Sequence, residues 1–213
     1  MPCGTGDVCA FDVAGSATCN LTLADNSVNT LKSGERMAGL QVQNKGGSNA
    51  TLTITADSQG SLSVYGGGGA AGIGGGNSSS GGTINIAGGT IEATGGDYGA
   101  GIGDGDYPGG EGDGISGQGS AAITISGGNV TATCANGQGA GIGYGGDTGA
   151  AGGSFSTGES GHAVIIASSI KTENKNEENW GGVFFINYND GVVYGSHTLT
   201  GSLGGHWRGK LGL

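Results

Sequence analysis

Five carboxylates and two tyrosines fall within 17 residues of this chain: Asp97, Tyr98, Asp104, Asp106, Tyr107, Glu111 and Asp113. Three kinds of chemistry fit such a segment. Asp104, Asp106, Glu111 and Asp113 offer hard oxygens from a flexible glycine-rich loop, which suits Ca2+ and its shell of about six to eight oxygens. The match to known calcium loops is partial. Pro108 stands at the fifth position of a helix-loop-helix pattern, Ile115 stands where the bidentate Glu belongs, and Asp113 comes one residue early for the G-G-x-G-x-D nonapeptide. Alternatively, two carboxylates roughly 5 to 9 Å apart hydrolyse a glycosidic bond, one as acid and the other as nucleophile or base. Asp97 with Asp104 or Asp106 are the candidates, and Glu92 and Asp147 are further ones. The third reading is a solvated acidic loop that keeps a flat β surface soluble and blunts edge pairing. Nothing in the sequence selects one carboxylate pair, so all three readings stay open.

The tyrosines form a second constellation. Tyr65, Tyr98, Tyr107 and Tyr144 lie among glycines too small to hide a ring. An exposed ring can stack on the apolar face of a sugar while a neighbouring acid such as Asp97 bonds its hydroxyls. The expected ligand set is therefore Tyr65, Tyr98, Tyr107, Tyr144 and Asp97. Exposed tyrosines are also ordinary surface residues. Nucleophile constellations are lacking: His162, His197 and His206 come late, and none follows a Ser or Cys in a recognisable elbow. Glycine strings such as residues 101–105 match nucleotide-binding loops by abundance alone, because no helix follows them.

Charge narrows the partners. The formal net charge is −10, and no Lys or Arg occurs between Gly46 and Ile170. That stretch holds nine acids, Asp57, Glu92, Asp97, Asp104, Asp106, Glu111, Asp113, Asp147 and Glu159. A wall without cations cannot neutralise phosphates, which argues against nucleic acid. The same deficit argues against anionic polysaccharide, unless cations bridge it to the carboxylates, and against lyase chemistry. No run of 18 apolar residues suggests membrane insertion, and residues 1–11 lack the basic start and apolar stretch of a signal peptide, so the chain reads as a mature fragment.

Whatever these residues do, a repeat must position them. The triplet Ala-Gly-Ile recurs at 71–73, 100–102 and 140–142, each time closing a block of short alternating runs separated by glycines. Three apolar lines run down the chain. The first is Leu21/Leu23, Leu52/Ile54, Ile84/Ile86, Ile123/Ile125 and Val164/Ile166; the second is Val28/Leu31, Leu62/Val64, Ile91/Ala93, Val130/Ala132 and Ile170. The third is Leu40, Ile73, Ile102, Ile142 and Val183, each preceded by glycine. First-line steps are 31, 32, 39 and 41 residues and third-line steps 33, 29, 40 and 41, so insertions at one corner (74–82, 103–121 and 143–161) stretch both together.

That pattern predicts an all-β fold, a single right-handed parallel β-solenoid of about five three-strand coils, with handedness taken from the general bias of parallel crossovers. Helix is a poor competitor, since each Gly costs roughly 1 kcal/mol relative to Ala there, and the chain has 54 of them. Residues 1–20 are expected to cap the solenoid or end a preceding coil, 21–195 to form it, and 196–213 to be irregular. Within that tail, 204–213 reads as foreign to the repeat. Uncapped end coils are open to self-association. The outward row between first-line residues, Thr22, Thr53, Asn85, Thr124 and Ile165, is too interrupted for an ice-binding threonine array. Cys3, Cys9, Cys19 and Cys134 lack the paired spacing of a zinc site, leaving a disulfide or free thiols.

The blocks GGTINIAGGTIEATGGDYGAGIG and AAITISGGNVTATCANGQGAGIG resemble the glycine-rich β-solenoid repeats of large surface proteins of anaerobic gut and rumen bacteria. More loosely, they are similar to a bacterial family of calcium-containing β-helical carbohydrate-binding modules. The likeness spans roughly residues 20 to 195. It implies a secreted or cell-surface module that meets glycans, with Ca2+ as its cofactor if the acidic cluster ligates. The expected function is a carbohydrate-binding or adhesive module taking neutral glycan along an acidic, tyrosine-bearing corner. The alternative is a glycoside hydrolase acting on plant or microbial polysaccharide.

Overall fold

The computed structural model describes residues 8–106, 121–135, 141–143, 145, 163–166, 169–174, 192–194 and 210–211. The chain winds coil upon coil. The first turn contributes β1 (Phe11–Val13), β2 (Thr18–Leu21) and β3 (Val28–Lys32), and the next β4 (Leu40–Lys45), β5 (Ser48–Asn49), β6 (Thr51–Ile54) and β7 (Ser61–Tyr65). Then come β8 (Ile73–Gly74), β9 (Ser80–Gly81), β10 (Thr83–Ile86) and β11 (Thr90–Gly95), followed by β12 (Ile102–Gly103), β13 (Ala122–Ile125) and β14 (Asn129–Cys134). The last described strands are β15 (Ile142–Gly143), β16 (Ala163–Ile166), β17 (Ser169–Asn174), β18 (Val192–Tyr194) and β19 (Lys210–Leu211).

These strands stack into three parallel sheets, the register of a β-solenoid. Sheet 1 runs β1-β4-β8-β12-β15, sheet 2 runs β19-β18-β16-β13-β10-β6-β2, and sheet 3 runs β17-β14-β11-β7-β3. Alternation buries every second side chain, so like residues meet on successive coils. Sheet 2 stacks Leu52, Ile84 and Ile123, and beside them Ile54, Ile86 and Ile125. Sheet 3 stacks Leu62, Ile91 and Val130, and sheet 1 stacks Leu40, Ile73, Ile102 and Ile142. All belong to one core. Burying each such side chain contributes about 1.5–3 kcal/mol, which offsets the backbone entropy that so many glycines lose on folding.

The Ala-Gly-Ile triplet has a steric cause. A Cβ on Gly101 would sit 2.5 Å from the Thr133 amide nitrogen, and one on Gly72 would sit 2.8 Å from that of Thr94. Sheet 1 thus passes backbone to backbone against the ends of sheet 3, where no side chain fits. The glycine after each isoleucine, Gly74, Gly103 and Gly143, has φ of 136°, 137° and 128°. That conformation is open to glycine and rare for other residues, and it turns the chain out of sheet 1 on these three coils, whereas Gln41 holds the same ladder position in the coil before.

Several register positions differ from the sequence expectation. In the first line, Cys19 and Leu21, rather than Leu21 and Leu23, pair with Leu52 and Ile54. Three alternate apolar residues stand in a row there, and a slip of two keeps the same face inward. In the second line Asn29, not Val28, faces Leu62, and Val28 is 83% exposed. Near the other end, Ala163 and Ile165 pair with Ile123 and Ile125, displacing Val164 and Ile166. That segment is apolar throughout and offers no alternation to set its phase. The outward row of sheet 2 accordingly reads Asn20, Thr53, Asn85 and Thr124, with Val164 the ladder partner of Thr124.

The 74–82 insertion is not a plain loop. Its Ser80–Gly81 strand pairs antiparallel with β4, beside a hairpin that β4 makes with β5. Gly46 and Gly47, with φ of 62° and 80°, supply the positive pair that a two-residue hairpin turn requires. In the tail, Lys210–Leu211 pairs with β18. Cys9 and Cys19 carry free thiols. Cys3, Val183, residues 107–120 and most of the tail lie outside the described residues.

Candidate functional site

The acidic segment is cut in two by β12. Asp97 and Tyr98 precede that strand, at the corner where sheet 3 hands over to sheet 1, while Asp104 and Asp106 follow it, where sheet 1 hands over to sheet 2. Glu111, Asp113, Tyr107 and Tyr144 lie outside the described residues.

Asp104 does not face solvent; its relative exposure is 0%. Its Oδ1 accepts hydrogen bonds from the backbone amides of Gly81 at 2.7 Å and Ala121 at 3.0 Å. Its own amide donates to the Gly143 carbonyl and its carbonyl accepts from Ala100. Asp104 therefore joins three coils at one point. Oδ2 is buried and has no hydrogen-bond partner among the described residues. Burial pushes its carboxyl up to about 7, and the two amide hydrogen bonds oppose that only in part. Asp106 is 6% exposed, with its amide on Gly69 and its carbonyl accepting from Ser78. Neither residue can meet a polysaccharide at the surface as the sequence-derived catalytic set requires. For calcium, Oδ2 of Asp104 offers one oxygen, and among the described residues no three His, Cys, Asp or Glu side chains gather to hold a metal ion.

The other corner is open. A groove of about 710 Å³ runs along it, lined by Lys32, Glu35 and Arg36 of the first turn, Tyr65 of the second, and Thr94 and Asp97 of the third. Its floor includes Gly66, Gly68, Gly95 and Gly96. A Cβ on Gly66 would come 2.7 Å from the Ala70 carbonyl oxygen, so the floor stays free of side chains. Tyr65 closes β7 and is 39% exposed. It sits directly between Lys32 and Thr94 in the parallel ladder, with neighbours about 4.8 Å to either side. Beneath the rim, the buried Cys134 thiol donates to the carbonyls of Gly96 and Asp97, each at 3.6 Å, and steadies the turn carrying Asp97. Tyr98 is half-buried at the same corner and does not line the groove.

Of the expected ligand set, the structure thus brings Tyr65 and Asp97 to one groove. Lys32, Glu35 and Arg36 are additions that sequence reading passed over. A signal existed: Leu31 and Val64 occupy the same apolar line, so the next residues, Lys32 and Tyr65, must be neighbours. Among the described residues, neither cationic side chain has a hydrogen-bonding or ion-pair partner. Arg36 also holds φ of 66°, in the left-handed region.

Comparison with known proteins bears on the scaffold alone. No curated protein and no solved structure matches this chain. A family described as Beta helix repeat matches residues 84–106 and 123–143. Both windows begin at a buried isoleucine of sheet 2 and run through sheet 3 to sheet 1, so each matched window takes in one strand of every sheet.

Proposed function

We propose that this chain is a glycan-binding module of a bacterial secreted or cell-surface protein, and that the groove around Tyr65 is where the glycan lies. The observation carrying this reading is the exposed tyrosine ring set in a glycine-floored groove with hydroxyl and carboxylate neighbours, Thr94 and Asp97. A ring of this kind offers an apolar platform to a pyranose, while the flanking polar groups orient its hydroxyls. Rigid parallel sheets hold these groups at fixed spacing, so little ordering is needed on binding. The original set shrinks from a long acidic corner to this groove because Asp104 and Asp106 are buried.

Hydrolysis stays as a second reading because two carboxylates, Glu35 and Asp97, line the same groove, and a two-carboxylate mechanism asks for that arrangement. Calcium is a separate proposal, resting on the buried Oδ2 of Asp104 and on Glu111 and Asp113. A rise in melting temperature with millimolar calcium, reversed by chelation, would support it.

A panel of soluble polysaccharides, neutral and acidic, in affinity electrophoresis and calorimetry tests the main reading. Retardation by at least one glycan that is lost in Tyr65→Ala supports binding in the groove. Retardation unaffected by Tyr65→Ala moves the site elsewhere. New reducing ends that vanish in Asp97→Asn or Glu35→Gln would replace the binding module with a glycosidase.

A further inference from the structure

We infer that the glycan in this groove carries a carboxylate on the sugar lying over Lys32 and Arg36, so that the ligand is a uronic-acid-bearing chain. This rests on the glycan-binding reading above and names its ligand class. The absence of cations between Gly46 and Ile170 pointed to neutral glycan. Coiling overturns that argument, because it carries Lys32 and Arg36 from the preceding turn to the wall of the groove that holds Tyr65 and Asp97.

Three observations converge. First, only seven Lys and Arg residues occur in a chain of net charge −10, and two of them line this one groove. Second, both are exposed and their side chains have no hydrogen-bonding or ion-pair partner among the described residues, even though Glu35 lines the same wall. They are available to a ligand. Third, Lys32 is the ladder neighbour of Tyr65, so a sugar stacked on the ring places its next unit or its ring substituent within reach of the ammonium. Arg36 adds a planar fork that matches a carboxylate in two parallel hydrogen bonds, and Lys32 adds a point charge. Asp97 stands on the far side of Tyr65, two coils on, where it repels a second carboxylate and accepts from hydroxyls. The groove therefore has a direction: carboxylate towards the first turn, hydroxyls towards the third.

The test uses uronic-acid oligosaccharides and their carboxyl-reduced counterparts, matched in linkage and length, titrated into the full chain by calorimetry. The acidic member of a pair is expected to bind roughly tenfold or more tightly, the scale of one hydrogen bond to a charged group, with an advantage that shrinks as salt rises. The double variant Lys32→Gln, Arg36→Gln should erase that preference, so that the acidic and the reduced member of a pair then bind alike. Glu35→Gln should increase it. Equal affinity for both members, with binding still dependent on Tyr65, overturns the uronate and leaves the glycan module standing. Tighter binding of a sulfated chain than of any uronate overturns the carboxylate assignment. Binding of neither member, while a neutral glycan of the panel binds through Tyr65, overturns the inference alone; binding of no glycan at all overturns both.

Discussion

Each coil turns two corners next to sheet 1, and the acids they carry meet opposite fates. At the corner leading into sheet 1, Asp97 is exposed beside a groove with Tyr65, Lys32 and Arg36. At the corner leading out, only seven residues later, Asp104 is sealed inside and spends one oxygen on two backbone amides. The cause is what lies outside each corner. The outgoing corner receives the insertion of the coil before, where Ser80–Gly81 folds back along β4 and covers it. The incoming corner is a glycine turn over which none of the described residues folds back as Ser80–Gly81 does. An acid in a glycine-rich stretch therefore has no role by composition; its corner assigns one.

The largest effect that separates the corners is expected for Asp104→Ala. It removes the acceptor of two buried amides, each costing about 1–3 kcal/mol when left unpaired. Urea denaturation should show a loss of roughly 2–4 kcal/mol, while glycan affinity measured on the folded fraction is unchanged. Loss of binding without loss of stability would mean that Asp104 reaches the ligand after all.

Next comes the pH dependence of the same residue. Its folded pKa, about 7, is raised by burial above the ordinary value of 3.8. The neutral carboxyl is thus the form that the fold favours. Its stabilisation is fully present below the unfolded value and is lost as pH rises through the folded one. Stability should fall between about pH 4 and pH 7 relative to Asp104→Asn, which keeps the accepting oxygen and cannot titrate. Parallel stability curves for the two proteins would show that Asp104 does not carry a raised pKa.

Smaller in energy is Tyr65→Ala at the open corner. About a tenfold loss of glycan affinity is expected, the weight of one stacked aromatic contact, with stability within roughly 0.5 kcal/mol of the parent because the ring is surface-exposed. The smallest change is expected for Asp97→Asn, again within about 0.5 kcal/mol in stability, with a modest fall in affinity for any glycan whose hydroxyls it accepts. A large destabilisation by either variant would show that this corner is structural like its neighbour.

Much of this fold was legible in the residues. Leu52, Ile84 and Ile123, or Ile73, Ile102 and Ile142, align in the sequence because each stands in a clean alternation or behind a fixed glycine, and their ladders match the expectation. Register departs from expectation where alternation fails. The Val28/Leu31 spacing of three was itself a warning that both could not point inward, and Asn29 takes the inward place. The site was less legible, since Asp97, Asp104 and Asp106 look equivalent in a string of glycines.

The sequence by itself determined the coil: its period, its three inward lines and its glycine corners follow from side-chain alternation and from steric limits that act within a few residues. Tertiary structure decided which distant residues share a surface. Lys32, Tyr65 and Thr94 become adjacent only when coils stack, because the ladder joins residues 29 to 33 positions apart in the chain. Burial of Asp104 likewise needs the preceding insertion to be in place. Both depend on register and coverage between coils, which no local pattern encodes.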